Sequence, residues 1–303
     1  MDRRERTMEG MAFVNPANVI AALFALAPYL AAAYFYPPVA ARVQASPGWL
    51  RILAPAALSL PYVLVASTAG LFRWGWFSLY ALLPVAIALL LHQAAAADPA
   101  IRGNWRDFLT LAALGLAVEL RWFEAAWPAH LAIFNKILLL DIGIYGFLFI
   151  RRLDGVGFDL RLRLGDLRIG LREWAWYTPI ALLLGLGLGF LHLHRVWPGF
   201  LPIAGAWLFT FFFIAVPEEL FFRGWMQNLL ERLIGRTSAL LLTACLFGLA
   251  HFNKRAAHFN WRYVLLAALA GIFYGRAWRT RRRVGTSAVT HATVDAFWSL
   301  WLQ

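Results

Sequence analysis

The chain has 303 residues, of which 61% are hydrophobic and 15% charged, and its mean hydropathy is +0.63. A soluble domain carries about 25% charge, so this composition excludes one and points to a polytopic membrane protein. The net charge of +12, beside 15 Trp and 24 Phe, fits basic loops on an anionic leaflet and aromatic belts at the bilayer surfaces, and argues against nucleic acid as a partner.

Residues 1–10 carry charges of both signs and lack the apolar core and small-residue cleavage site of a removable signal peptide, so the first helix is expected to be retained. A hydrocarbon core of about 30 Å needs about 20 apolar residues to cross it. Residues 18–36 and 52–72 meet that length, and 76–92 is shorter but apolar throughout. The 108–122 stretch is short and ends in Glu119 and Arg121, which leaves open whether it spans, lies in the interface or re-enters. Residues 131–150 are long enough again, with Lys136 and Asp141 as packing or pore-facing polar groups. No motif of known role marks the region 1–150.

Residues 151–173 form the one long polar segment, carrying Arg151, Arg152, Arg161, Arg163, Arg168 and Arg172. The positive-inside rule places it in the cytoplasm. Leu160, Leu162 and Leu164 alternate with charged residues, as a short extended segment on the headgroups would, although a solvated basic connector is the plainer reading. Residues 174–195 then cross outward, and Trp197, Pro198 and Gly199 make the turn. The unit 203–233 is too long for one plain span, and Pro217 is expected to kink it. Residues 238–252 go out, 263–278 come back to Arg279, Arg281, Arg282 and Arg283, and 284–302 form the last crossing. The two strongest basic segments therefore fall on one side. The expected fold class is all-α, a transmembrane bundle of about 8–10 spans.

Polar residues inside these apolar runs carry the chemistry. In 211–225 two adjacent carboxylates, Glu218 and Glu219, and Arg223 interrupt a membrane-grade sequence. Each ionisable group near the bilayer centre costs roughly 2.5 to 3.5 kcal/mol on insertion scales. Glu219 and Arg223 are four apart with the acid first, the favourable order for a helical ion pair. Glu218 lies about 100° around the helix and is left over, which makes it a functional candidate. Phe247 and His251 share one helix face, as do His291 and Asp295, a spacing at which the carboxylate can hold the imidazole tautomer. Alone, either histidine reads as a packed residue bonded to a neighbouring carbonyl. His92, His130, His192, His194 and His258 sit at helix ends or in loops and read as surface residues. The single cysteine, Cys245, excludes an intrachain disulfide, dithiol redox chemistry and cysteine-ligated zinc.

Together the three sets are distinctive. The Pro-Glu-Glu-Leu-Phe-Phe-Arg-Gly run of 217–224, followed by Phe-x-x-x-His and His-x-x-x-Asp, resembles the CAAX protease and bacteriocin-processing (CPBP, also ABI) family, which includes the type II CAAX prenyl endopeptidases. The resemblance covers roughly 174–303 and divides the chain into N-terminal helices (1–150), a basic cytoplasmic loop (151–173) and a CPBP-like core (174–303). It implies an intramembrane endopeptidase in which Glu218 activates water, His251 assists, His291 and Asp295 stabilise the oxyanion, and Glu219 and Arg223 brace the site beside Phe247. The family has Asn or Asp at the last position, and this chain has Asp295.

No cofactor is expected on this reading. Two histidines and several carboxylates could offer zinc a three-ligand site, but there is no His-Glu-x-x-His and the histidines stand on separate helices, so a metal-free mechanism is preferred. The expected partners are membrane lipids and a membrane-associated protein or peptide substrate. The expected location is the plasma membrane, with the site toward the cytoplasm. A non-catalytic scaffold or immunity protein of the same fold is the alternative function. A proton-coupled transporter would also use intramembrane Glu and His, but no inverted repeat supports it.

Overall fold

The computed structural model describes residues 15–194, 197–254 and 258–302, so the 1–10 segment and Arg195 lie outside the described residues. The described residues form helices and no strand, in two compact units, Met1–Leu153 and Asp154–Gln303.

In the first unit α1 (Pro16–Ala45) starts at Asn15, whose side chain accepts from the Ala17 amide at 3.0 Å ahead of a proline in the first turn. Phe35 leaves the helical region just before Pro37 and Pro38, which supply the kink. There follow α2 (Gly48–Thr68), α3 (Trp74–Ala97), α4 (Trp105–Glu119) and α5 (Ala129–Ile150). α1, α2, α3 and α5 are each long and apolar enough to cross a membrane. α4, which covers most of the undecided 108–122 stretch, is not: its 15 residues reach only about 22 Å at 1.5 Å per residue. Its start is fixed by a capping box between Asn104 and Asp107.

The core of this unit is aromatic. Tyr62, Tyr80, Trp127 and Phe134 pack on Ala21 and Ala25, and the Tyr80 hydroxyl accepts from Trp127 Nε1 at 2.7 Å while donating to Asn135 Oδ1 at 3.2 Å. Lys136 is exposed, whereas Asp141 is fully buried, so the two take separate environments. Arg151 is not part of a solvated loop. Its guanidinium is buried and bonded to Asp98 (2.7 Å) and Asp107 (2.8 Å), because a cation can leave water only when its donors are matched by carboxylates.

The second unit comprises α6 (Leu164–Gly187), α7 (Phe200–Ile234), α8 (Arg236–Leu249), α9 (Trp261–Arg281) and α10 (Val284–Trp301). α7 is the fifth described helix that passes both length and apolarity. α6 and α9 are 24 and 21 residues long but carry charged turns at their basic ends. α10 is rich in Thr, Ser and Ala, and its stretch from Val284 to Ala292 is wholly buried against α6, α7 and α9. Small residues suit such a site, since they let neighbouring helices approach closely. At Gly170 a Cβ would stand 3.0 Å from the carbonyl oxygen of Thr286, and that close approach lets Thr290 Oγ1 donate to the Gly170 carbonyl at 3.1 Å.

The segment before α6 also departs from the solvated connector expected of it. Val156, Phe158 and Leu160 are buried while Leu162 and Leu164 are exposed, so the alternation is present but its buried part lies nearer the start of the segment than the leucines suggest. Arg283 explains why. It donates to Asp159 (3.0 Å), to Asp166 (3.1 Å) and to the Arg161 carbonyl (2.8 Å), while Thr286 Oγ1 donates to Asp166 at 2.6 Å. Burial pushes the Asp159 carboxyl up, but the Arg161 amide and the Arg283 guanidinium outweigh it and hold the group below its ordinary value. The basic segment is thus fastened to the first turn of α10, the helix that carries His291.

Candidate active site

Pro217 lacks an amide proton, so the carbonyl one turn back has no helical partner, and α7 absorbs the mismatch by widening rather than breaking. Phe211–Ala215 and Leu220–Gln227 are π-helical, and Val216–Glu219 is the single α-helical turn between them. Such π turns frequently mark functional positions. The expected proline kink is therefore expressed as a change of helical register on either side of the glutamates. Its result is a sorting of side chains: Glu219, Arg223 and Gln227 are fully buried, whereas the Glu218 side chain is 30% exposed.

The buried half is an ordered charge cluster. Glu219 Oε1 accepts from Arg223 Nη1 at 2.8 Å, as the spacing predicts, and from His291 Nδ1 at 2.8 Å, which no spacing predicts. Arg223 Nη2 donates to the Gly271 carbonyl at 3.0 Å, and the guanidinium lies over the rings of Phe247 (4.6 Å) and Tyr274 (5.2 Å). One carboxylate oxygen thus ties the α7 arginine to the α10 histidine. Trp207 Nε1, bonded to Thr293 Oγ1 at 3.0 Å, makes a second tie between these helices.

The open half faces His291 from the other side. Its Nε2 lies 3.5 Å from Asp295 Oδ2 and 3.9 Å from Glu218 Oε2, and both carboxylates are about a third exposed, at 33% and 30%. Nδ1 is held by Glu219, and Asp295, at its i, i+4 spacing, stands beside the other ring nitrogen, Nε2. His251 is set differently. Its Nδ1 lies 2.9 Å from the Phe247 carbonyl, which can only accept, so Nδ1 carries the proton and Nε2 is left as an acceptor. The Glu218 carboxylate is within electrostatic range of the His251 ring, and Phe247 packs on both His251 (4.9 Å) and His291 (5.6 Å).

All seven residues singled out by the motifs therefore converge: Glu218, Glu219, Arg223, Phe247, His251, His291 and Asp295. Residues 200–297, which contain all seven, match the family model for type II CAAX prenyl endopeptidases, Rce1-like. This stretch is Rce1-like. Comparisons with curated proteins and with solved structures give no match. The chain is an integral membrane protein, and its stretch 200–297 is similar to the type II CAAX prenyl endopeptidases.

The Rce1-like stretch also contains residues that the motifs did not indicate. Tyr274 stacks on the His291 ring at 4.6 Å, Tyr263 packs on His251 at 4.9 Å, and Gly271 supplies the carbonyl for Arg223. Aromatic residues in an apolar helix carry no signal of their own, and only the glycines flanking Tyr274, at 271 and 275, hint at a close approach there. His258 lies apart, lining a cavity of about 490 Å³ with Phe190, Trp261 and Trp298. Among the described residues no three His, Cys, Asp or Glu side chains are arranged to hold a metal ion.

Proposed function

We propose that the chain is an intramembrane endopeptidase that hydrolyses a peptide bond near or within the membrane with water activated by Glu218. The observation that carries this reading is the sorting of the paired glutamates. Glu219 is buried and saturated by Arg223 and His291, while Glu218 is partly open beside His251 and His291. A scaffold needs the first arrangement for stability but has no use for the second.

In this mechanism Glu218 takes a proton from water as the water oxygen attacks the scissile carbonyl, and His251 Nε2, an acceptor, helps to hold that water. The oxyanion forms beside His291 Nε2. With Nδ1–H given to Glu219, a donor at Nε2 requires the imidazolium form, whose charge Glu219 and Asp295 balance. Glu218 then returns its proton to the leaving amine, so the carboxylate is regenerated and one water is consumed. The substrate is a membrane-associated protein or peptide, CAAX-type or processed at a C-terminus or leader. We place the protein in the plasma membrane with its Arg-rich helix ends, and access to the site, on the cytoplasmic side.

Comparing the proteomes of cells with wild type and Glu218→Ala tests the assignment. Uncleaved precursors are expected only in the variant, and identical termini in both would favour the scaffold reading. Purified enzyme is expected to keep full activity after exhaustive chelation, with well under one zinc per chain by elemental analysis. Loss of activity that zinc restores would transfer the water to a metal site.

Asp295 is tested separately. Asn keeps a hydrogen-bonding group beside Nε2 and Ala does not, so Asp295→Asn is expected to lose up to about tenfold in kcat/KM and Asp295→Ala about 100-fold. The pH profile decides its role. An alkaline loss in wild type that Asp295→Asn does not share would make Asp295 itself the oxyanion donor.

A further inference from the structure

His291 is held at Nδ1 by Glu219 (2.8 Å) and has Asp295 Oδ2 3.5 Å from Nε2, and both contacts lie at the edge of the ring. Its faces are packed by aromatic rings, which restrain its plane further. Tyr274 of α9 stacks on the ring with a centroid separation of 4.6 Å and an interplanar angle of 17°, and Phe247 of α8 meets it edge-on at 5.6 Å and 89°. Offset face contacts of this kind have a preferred geometry, so a stacked neighbour restrains ring rotation as well as burying area.

The backbone is arranged to deliver that ring. A Cβ at Gly271 would stand 3.0 Å from Cα of Ala244, and one at Gly275 would overlap Leu240 and the Gln227 side chain. The two glycines therefore let α9 lie flush against α8 and the π turn of α7, at the level where Tyr274 projects. Tyr274 itself is 1% exposed, and its ring makes the contact with His291.

We propose that Tyr274 is a positioning residue: its stacked ring holds the His291 imidazole so that Nε2 points into the gap between Glu218 and Asp295. This rests on the proposed hydrolytic role of His291 for its effect on turnover, but not for its effect on the ring. Tyr274→Phe keeps the stack and is expected to retain kcat within about twofold. Tyr274→Leu and Tyr274→Met fill the space without a flat face and are expected to lower kcat about tenfold or more, with KM little changed, since a misaimed catalytic group costs turnover.

Two readouts separate the possible failures. In purified protein with isotope-labelled histidine, the Nδ1–H resonance of His291, assigned with His291→Gln, should be sharp in wild type and Tyr274→Phe and broadened in the Leu and Met variants. A sharp, unshifted resonance in a folded Leu or Met variant overturns the positioning role, whatever the activity. Wild-type kcat in those variants, with Glu218→Gln inactive in the same assay, also overturns it and leaves the protease reading intact. Equal cleavage by wild type and Glu218→Gln sinks the protease reading instead, and the resonance then decides Tyr274 alone.

Discussion

Glu218→Gln is expected to lower kcat by about 10²–10⁴-fold, the range a positioned general base contributes, while the protein still inserts and folds. The amide keeps the volume and hydrogen-bonding capacity of the carboxylate but cannot take a proton. Folding should be spared because the Glu218 side chain is partly exposed and the buried arginine is paired with its neighbour. The measurement is single-turnover cleavage with a melting curve recorded on the same preparation. Wild-type turnover from a folded Gln variant would remove Glu218 from the chemistry and with it the proposed mechanism.

Glu219→Gln differs from it by one residue and should behave in another way. Both groups on Glu219 Oε1, Arg223 Nη1 and His291 Nδ1, are fully or almost fully buried, and Glu219 is the carboxylate both of them share. Removing the negative charge leaves a guanidinium in a desolvated pocket with neutral acceptors and three aromatic rings, those of Phe222, Phe247 and Tyr274. Breaking one side of such a buried pair costs about 3–5 kcal/mol. The expected result is a large fall in melting temperature or yield, and in any protein that folds, reduced turnover, because the acceptor at Nδ1 has lost its negative charge. A variant as stable as wild type would show that Arg223 finds compensation elsewhere. A stable variant with normal kcat would also remove Glu219 as the group that orients His291.

The contrast between the two glutamates shows where sequence reading stops. That one of them pairs with Arg223 follows from a four-residue spacing along a single helix, and the structure has that pair. That the same oxygen also holds His291 depends on how α10 lies against α7, some 70 positions away in the chain, and nothing in either motif encodes it. Asp295 illustrates the limit. Its spacing makes it a partner of the ring, and the structure has that pair at 3.5 Å, yet a second and closer carboxylate, at 2.8 Å, comes from another helix.

The basic segment gives the same lesson for the fold. Its arginines are what the positive-inside rule counts, and by count they belong to a loop in water. In the structure Arg151 is buried against Asp98 and Asp107, and Arg283 gathers Asp159, Asp166 and a backbone carbonyl. The partners are aspartates distant in sequence, so composition registers the charge and misses its neutralisation.

Sequence by itself determined the class of molecule, the all-α architecture, the long apolar helices and the residues that gather at the site. The reason is energetic: apolar length and the cost of placing Glu, Arg and His among lipid-facing residues are local properties, readable one helix at a time. Only the tertiary structure decided which carboxylate holds His291 Nδ1, which nitrogen of each histidine faces which partner, how the strain of Pro217 is absorbed, and that Tyr274 lies on the ring. Those features are set by separations between helices of a few ångströms. Ring stacking and single hydrogen bonds fall off over such distances, and no periodicity within one helix fixes them.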